Sequence, residues 1–183
     1  MKKEIKKIIT LPENVHAKIE GRKVIVNGPL GEVEKSFNFK GIKMELKDKT
    51  ITIMHEKATK KEKKMINTMA SKISSAVEGV IKGFEYKLQI CSIHFPITIK
   101  IDKANDMIII KNFLGESKDR IVKFPKNTDI NVDGDIITVK SVDKDIAGNI
   151  AANVEHITRV SARDRRIFQD GIWIIKKEKG RLR

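Results

Sequence analysis

The chain has 183 residues, 40% hydrophobic and 34% charged, which suits one domain or two small ones and excludes a globally disordered polymer. A formal net charge of +14 points to a polyanionic partner, most often nucleic acid, since each phosphate neutralised releases counterions. Cys91 is the single cysteine, so a disulfide framework and a cysteine-cluster zinc site are excluded and a reducing compartment is expected. No apolar run approaches the ~20 residues of a bilayer span, and the Ile8–Pro12 run is too short for a signal-peptide core. The expectation is a soluble, cytoplasmic protein with no membrane partner.

From Val15 the pattern has period two. Val15, Ala17 and Ile19 share one side of a strand, Gly21-Arg22 turns, and Val24 and Val26 return, which predicts a hairpin. The stretch Gly28-Pro29-Leu30-Gly31 then separates it from a run with Val33, Lys35, Phe37 and Phe39 in alternation. Ile42, Met44 and Leu46 alternate next, followed by a turn at Lys47–Lys49 and a strand with Ile51 and Ile53 inward. Over Lys60–Lys82 the apolar residues take helical spacing, with Ile66, Met69, Ile73, Val77 and Val80 among them, and Gly83 is a C-cap candidate.

The same order returns in the second half. A strand-like opening runs over Tyr86–Phe95; Ile97, Ile99 and Ile101 alternate; Met107–Lys111 is the return strand. Asn112-Phe113-Leu114-Gly115-Glu116 stands where Gly28-Pro29-Leu30-Gly31-Glu32 stood. Strands around Ile121–Lys123, Ile130–Val132 and Ile136–Lys140 follow, then a helix with Ile146, Ile150, Val154 and Ile157 at helical spacing and Asp143 as N-cap. An internal repeat of roughly 80 residues signals paired domains, not a solenoid. The predicted class is α+β: two tandem related domains of antiparallel strands packed with one long amphipathic helix each, at residues 1–83 and 84–183.

Charge divides unevenly along the chain. Residues 1–83 carry 19 Lys and Arg against 10 Asp and Glu, whereas residues 84–158 are close to neutral. Six of the eight arginines fall between Arg159 and Arg183, among them Arg159, Arg163, Arg165 and Arg166. Lysine gives diffuse attraction, while the planar guanidinium suits bidentate phosphate contacts. The lysines are read as a solvated surface and the arginine cluster as a binding surface.

Enzyme chemistry finds little support. Gly28-Pro29-Leu30-Gly31 is a bare GxxG, but strands flank it, and a Walker loop would need Gly-Lys-Ser/Thr followed by a helix. It reads as a strand-to-strand turn. His16, His55, His94 and His156 are scattered and form no metal-binding spacing. In a strand, Cys91 and His94 would point to opposite faces, which argues against a dyad. Asp102, Asp106, Asp133 and Asp135 fall in turns. No nucleophile has a credible base, so a non-enzyme without cofactor, metal or small-molecule substrate is expected. Aromatic content of 5% speaks against base-stacking platforms and for shape recognition of folded RNA.

The stretch LPENVHAKIEGRKVIVNGPLGEVEKSF, HFPI at His94–Ile97, NFLGE at Asn112–Glu116 and RRIFQDGIWI at Arg165–Ile174 together resemble the large-subunit ribosomal protein L-six family, in its archaeal and eukaryotic branch. The resemblance covers nearly the whole chain. It implies two related α+β domains and a structural, non-catalytic role in the large subunit. It also implies binding to large-subunit rRNA near its 3′ domain, close to the sarcin–ricin loop and the stalk base, beside neighbouring ribosomal proteins. The family's bacterial branch carries a PEPYKGKG-like motif near its end, where this chain has RDRRIFQDGIWI, so bacterial contact residues do not transfer. The matched positions are Asn112, Gly115, Glu116, Arg165, Asp170 and Gly171, the acidic ones expected to be structural. With the arginine and lysine pattern, the expected rRNA-binding residues are Asn112, Gly115, Lys118, Arg120, Arg159, Arg163, Arg165, Arg166, Lys176, Lys177, Arg181 and Arg183. The competing reading is a basic protein–protein scaffold that does not bind ribosomes.

Overall fold

The computed structural model describes residues 3–39 and 41–177. The chain divides into two compact units, residues 1–83 and 84–183.

The first unit runs β1 (Lys3–Thr10), β2 (His16–Glu20), β3 (Lys23–Gly28), β4 (Gly31–Ser36), β5 (Lys43–Lys47), β6 (Thr50–Ala58) and α1 (Lys60–Lys82). All pairings are antiparallel, in one sheet of order β1-β6-β5 and another of order β2-β3-β4. The period-two residues fill its core: Val24, Val26, Val33, Ile51 and Ile53 are buried, and Ile66, Met69, Ile73, Val77 and Val80 of α1 are buried with them. Thr59 starts the helix with a capping box: its Oγ accepts from the Lys61 N–H at 3.3 Å, and its own N–H donates to Glu62 Oε2 at 2.8 Å. Gly83, at φ 69°, ends it and donates back to the Gly79 carbonyl at 2.8 Å.

The Gly28–Gly31 turn sits against the last turn of α1. Leu30 donates its N–H to the Val80 carbonyl at 3.0 Å. A Cβ on Gly28 would stand 2.6 Å from Val80 Cγ2 and 3.0 Å from that carbonyl oxygen. Glycine is therefore required here for close approach of strand to helix, a tighter role than the free turn read from the sequence.

The second unit repeats the plan: β7 (Phe84–Cys91), β8 (Thr98–Asp102), β9 (Met107–Lys111), β10 (Arg120–Lys123), β11 (Thr128–Asp133), β12 (Ile136–Ser141), α2 (Lys144–Ile157) and β13 (Gly171–Lys176). Its sheets have the orders β10-β9-β8 and β11-β12-β7-β13, again antiparallel. Leu88, Ile108, Ile110, Ile137, Val139, Ile150, Val154 and Ile172 lie in one apolar core. Asp143 caps α2, accepting from the Asp145 N–H at 2.9 Å. The buried stripe of α2 is Ala147, Ile150, Ala151 and Val154, with Ile146 and Ile157 half-buried at its margins, so small alanines bring the helix down onto the sheet where larger residues were expected.

Three features depart from the sequence reading. β1 was not expected, because Lys7 stands between the inward Ile5 and Ile9 and breaks the apolar alternation. β13 was not expected either; its continuous apolar run has no period, and it lies on the sheet edge beside β7. The strand read over Tyr86–Phe95 stops at Cys91, and the chain leaves the sheet before His94.

Candidate nucleic-acid interface

Three connections of the second unit are cross-linked to one another: residues 92–97 after β7, 112–119 between β9 and β10, and 158–170 between α2 and β13. The first join is made by Asp170, which is 1% exposed. Its Oδ1 accepts from the backbone N–H of Ile93 at 2.7 Å and of His94 at 2.9 Å. Its Oδ2 lies 2.5 Å from His94 Nδ1. Burial opposes the Asp170 carboxylate, but the His94 N–H, the His94 ring and the Ile93 N–H outweigh it and hold the carboxyl below the usual range. His94 in turn stacks on Phe168, ring centroids 4.7 Å apart.

Gly171 follows at φ 155°, with the Thr158 carbonyl 3.3 Å and the Trp173 indole 3.4 Å from where a Cβ would stand. Only glycine fits, and this lets β13 start beside the buried carboxylate. Thr158 ties the same place to α2: its hydroxyl donates to the Val154 carbonyl at 2.9 Å and accepts from the Ile172 N–H at 3.1 Å.

The second join is the β9–β10 connection. Asn112 and Leu114 both take the left-handed conformation, at φ 57° and 50°, and Gly115 has φ 76°. Asparagine and glycine tolerate this region; for leucine it costs about 1–2 kcal/mol, so the surroundings must impose it. They do so on both sides. Asn112 Nδ2 donates to the Pro96 carbonyl at 3.0 Å, the Gly115 Cα faces the Phe95 ring, and Phe113 is buried beneath the turn. Arg120 closes it from below. Its Nε and Nη2 hold Glu116 as a fork at 2.8 and 2.6 Å, its Nη1 donates to the Ile157 carbonyl, and its guanidinium lies 4.2 Å from the Phe113 centroid. The Arg120 hydrogen bonds hold the Glu116 carboxyl below its ordinary range, and Arg163 adds to this from the third connection.

Around these joins the chain shows its arginines. Arg159, Arg163, Arg165 and Arg166 are all exposed. Arg163 lies over Phe168, 4.8 Å from the centroid, and so rests on the same ring that His94 stacks against. Arg166 is held by Asp164, with Nη2 2.7 Å from Oδ2; that hydrogen bond lowers the Asp164 carboxyl and raises the guanidinium. Among the described residues, no hydrogen bond or ion pair occupies the side chains of Arg159, Arg165 or Lys118.

The structure thus sorts the expected residues. Asn112 and Gly115 shape the β9–β10 turn. Arg120 is half-buried and spent on internal partners. Lys118, Arg159, Arg163, Arg165 and Arg166 are exposed. Lys176 lies on β13 and binds Glu85 at 2.8 Å; Lys177 is exposed just after it. Arg181 and Arg183 lie outside the described residues. Glu116 and Asp170 both end in bonds within the chain. Sequence reasoning missed the partnership of Asp170 with His94, because its members are 76 residues apart. The Asp-Gly step before an apolar run was the available signal for a turn into β13. Among the described residues no group of three or more His, Cys, Asp or Glu could hold a metal ion.

These features define a duplicated α+β protein whose second unit fixes an arginine-bearing loop cluster. The model of the family described as ribosomal protein L6 matches residues 11–83 and 92–171. The large ribosomal subunit protein uL6 of Staphylothermus marinus is 42% identical over 168 residues, covering 91% of each chain. Its counterpart in Desulfurococcus amylolyticus is 39% identical over 170 residues, 92% of each, and that of Methanosarcina mazei 38% over 177 residues, 97% of this chain and 99% of the relative. The chain belongs to the ribosomal protein L6 family.

Proposed function

We propose that this chain is a structural, non-catalytic component of the large ribosomal subunit that docks on large-subunit rRNA through the loop cluster of its second unit, in the cytoplasm. The observation that carries the reading is the cross-locking of three loops beneath exposed arginines. Phosphate contacts require cations held at fixed spacing, and a folded RNA helix is recognised by shape and backbone. Arg159, Arg163, Arg165, Arg166 and Lys118 are the phosphate-contacting groups in this reading. Asn112, Gly115 and Arg120 set the 112–119 connection that carries Lys118 and is locked to the arginine-bearing one, Lys176 and Lys177 extend the basic surface, and Arg181 and Arg183 are further rRNA-binding candidates by their charge alone. In this reading the chain binds rRNA near the 3′ domain, the sarcin–ricin loop and the stalk base, beside neighbouring ribosomal proteins, as the resemblance implies.

The test is incorporation. A chain carrying Arg159→Glu, Arg163→Glu and Arg165→Glu should fold, as judged by circular dichroism, yet be missing from large subunits sedimented in moderate salt. Normal incorporation of that variant would remove these arginines from the interface, and failure of the unaltered chain to co-sediment would favour a scaffold off the ribosome.

A further inference from the structure

The two units are copies of one plan, but among the described residues only the second has a strand in the place of β13. The equivalence can be set residue by residue. In the first unit Leu11 donates its N–H to the Lys49 carbonyl at 2.8 Å, and in the second Ile90 donates to the Asp135 carbonyl, also at 2.8 Å. Leu11 therefore stands for Ile90, and β1 stands for β7. In the second unit β7 lies inside its sheet, paired with β12 on one side and β13 on the other. In the first unit β1 pairs with β6, and among the described residues no strand runs along its other side.

The groups on that open side follow from the ladder. Antiparallel residues point their N–H and C=O alternately to one neighbour and the other. Leu11 points toward β6, so Ile9 and Lys7 do as well, and Lys6, Ile8 and Thr10 point outward. Their counterparts Glu85, Lys87 and Gln89 point toward β13, and Gln89 and Lys87 are the register partners of Trp173 and Lys176. The open side of β1 is thus the same backbone template that β13 fills in the other copy. Its irregularity lies at its start, between Lys3 and Ile5, and the outward stretch beyond is regular. Ile8, in the middle of that stretch, is 59% exposed. A regular unpaired edge with an exposed apolar residue is what strand addition uses.

Charge selects the occupant. In the second unit Lys176 of β13 binds Glu85 at 2.8 Å. The residue in the place of Glu85 is Lys6, so the sign is reversed. Lys7 adds further positive charge to β1, against the one carboxylate of Glu4. A second copy of β1, with Lys6 and Lys7 against a single Glu4, would bring net positive charge to an edge that is already positive, which is unfavourable. We propose that the outer edge of β1 receives an antiparallel strand from another protein chain, a strand carrying a carboxylate opposite Lys6. The edge is a protein-docking site, distinct from the arginine-bearing loops.

The full chain, free of RNA, tests this with two peptides of the β13 sequence, residues 170–177: one unsubstituted and one with Lys176→Glu and Lys177→Glu. The acidic peptide should slow amide exchange at Lys6, Ile8 and Thr10 by about tenfold or more while leaving Ile9 and Lys7 as they were. Ile8→Pro removes an outward N–H without touching the β6 ladder and should abolish the protection. Lys6→Glu should reverse the preference, so that the lysine-bearing peptide binds more tightly. Equal binding of both peptides, protection elsewhere, or persistence with Ile8→Pro overturns the proposal. So does concentration-dependent protection of β1 without peptide, which would mean self-pairing. So does protection by a duplex RNA fragment but by neither peptide. Because no ribosome enters the measurement, its outcome is independent of the rRNA-docking reading.

Discussion

The buried carboxylate of Asp170 accepts both the Ile93 and His94 backbone N–H groups and meets the His94 ring, across 76 residues of chain. Removing it leaves two donors with no acceptor. Asp170→Ala should destabilise the second unit by about 2–3 kcal/mol, since a hydrogen bond to a charged acceptor contributes about 1.5–3 kcal/mol. Asp170→Asn, which keeps one oxygen, should cost less. Urea unfolding gives the magnitude and amide exchange at Ile93 and His94 gives the place. Unchanged exchange at those two amides would show that the carboxylate holds nothing.

The same contact has a pH dependence of fixed sign. The Asp170 carboxyl is held below its ordinary value in the folded chain. Its contribution is therefore complete above the unfolded value of about 3.9 and is lost as pH falls through the lower folded value. The stability gap between the native chain and Asp170→Asn should be full at pH 7 and narrow only in acid below about pH 4. A gap that widens on acidification would contradict the sign.

Gly28 offers a purely steric prediction. An added methyl meets the Val80 side chain at 2.6 Å and its carbonyl at 3.0 Å, and Val80 is fully buried. Gly28→Ala should destabilise the first unit by about 1–3 kcal/mol, the usual cost of overpacking. Gly28→Ala with Val80→Ala should recover part of it. Full additivity of the two losses in thermal unfolding would refute direct contact.

Arg120 and Arg165 should separate by salt dependence. Arg165 is exposed and free of internal partners among the described residues, so Arg165→Ala should lower RNA affinity and reduce the salt slope by about one. Arg120 is bound to Glu116, Ile157 and the Phe113 ring. Arg120→Lys cannot reproduce that fork and should weaken RNA binding with little change in slope, while loosening the 112–119 connection. If Arg120→Lys lowered the slope as Arg165→Ala does, Arg120 would itself be a phosphate contact.

Much of this architecture was legible in the chain because its repeat is written in hydrophobic periods. Lys60–Lys82, read from spacing and a trailing glycine, is the extent of α1. Val24, Val26, Ile51 and Ile53 fall in the core for the same reason. The illegible parts are edges and long-range bonds. β1 has a lysine inside its inward row, and β13 has no alternation, so neither carries a period-two signal. The Asp170–His94 contact belongs to no local pattern. Arg120 shows the limit most plainly: a charge count cannot tell a guanidinium aimed at solvent from one folded under a turn.

β13 has one more consequence, in the order of synthesis. Chains emerge from their N-terminus, and domains fold as units once they are complete. All the strands and the helix of the first unit are available once Lys82 has emerged. The second unit must hold β7 with one bare flank until Gly171–Lys176 arrives, and Asp170 arrives only just before. The arginine-bearing loops therefore lock only after Gly171–Lys176 has emerged, and a chain stopped short of that strand carries its arginines on unlocked loops.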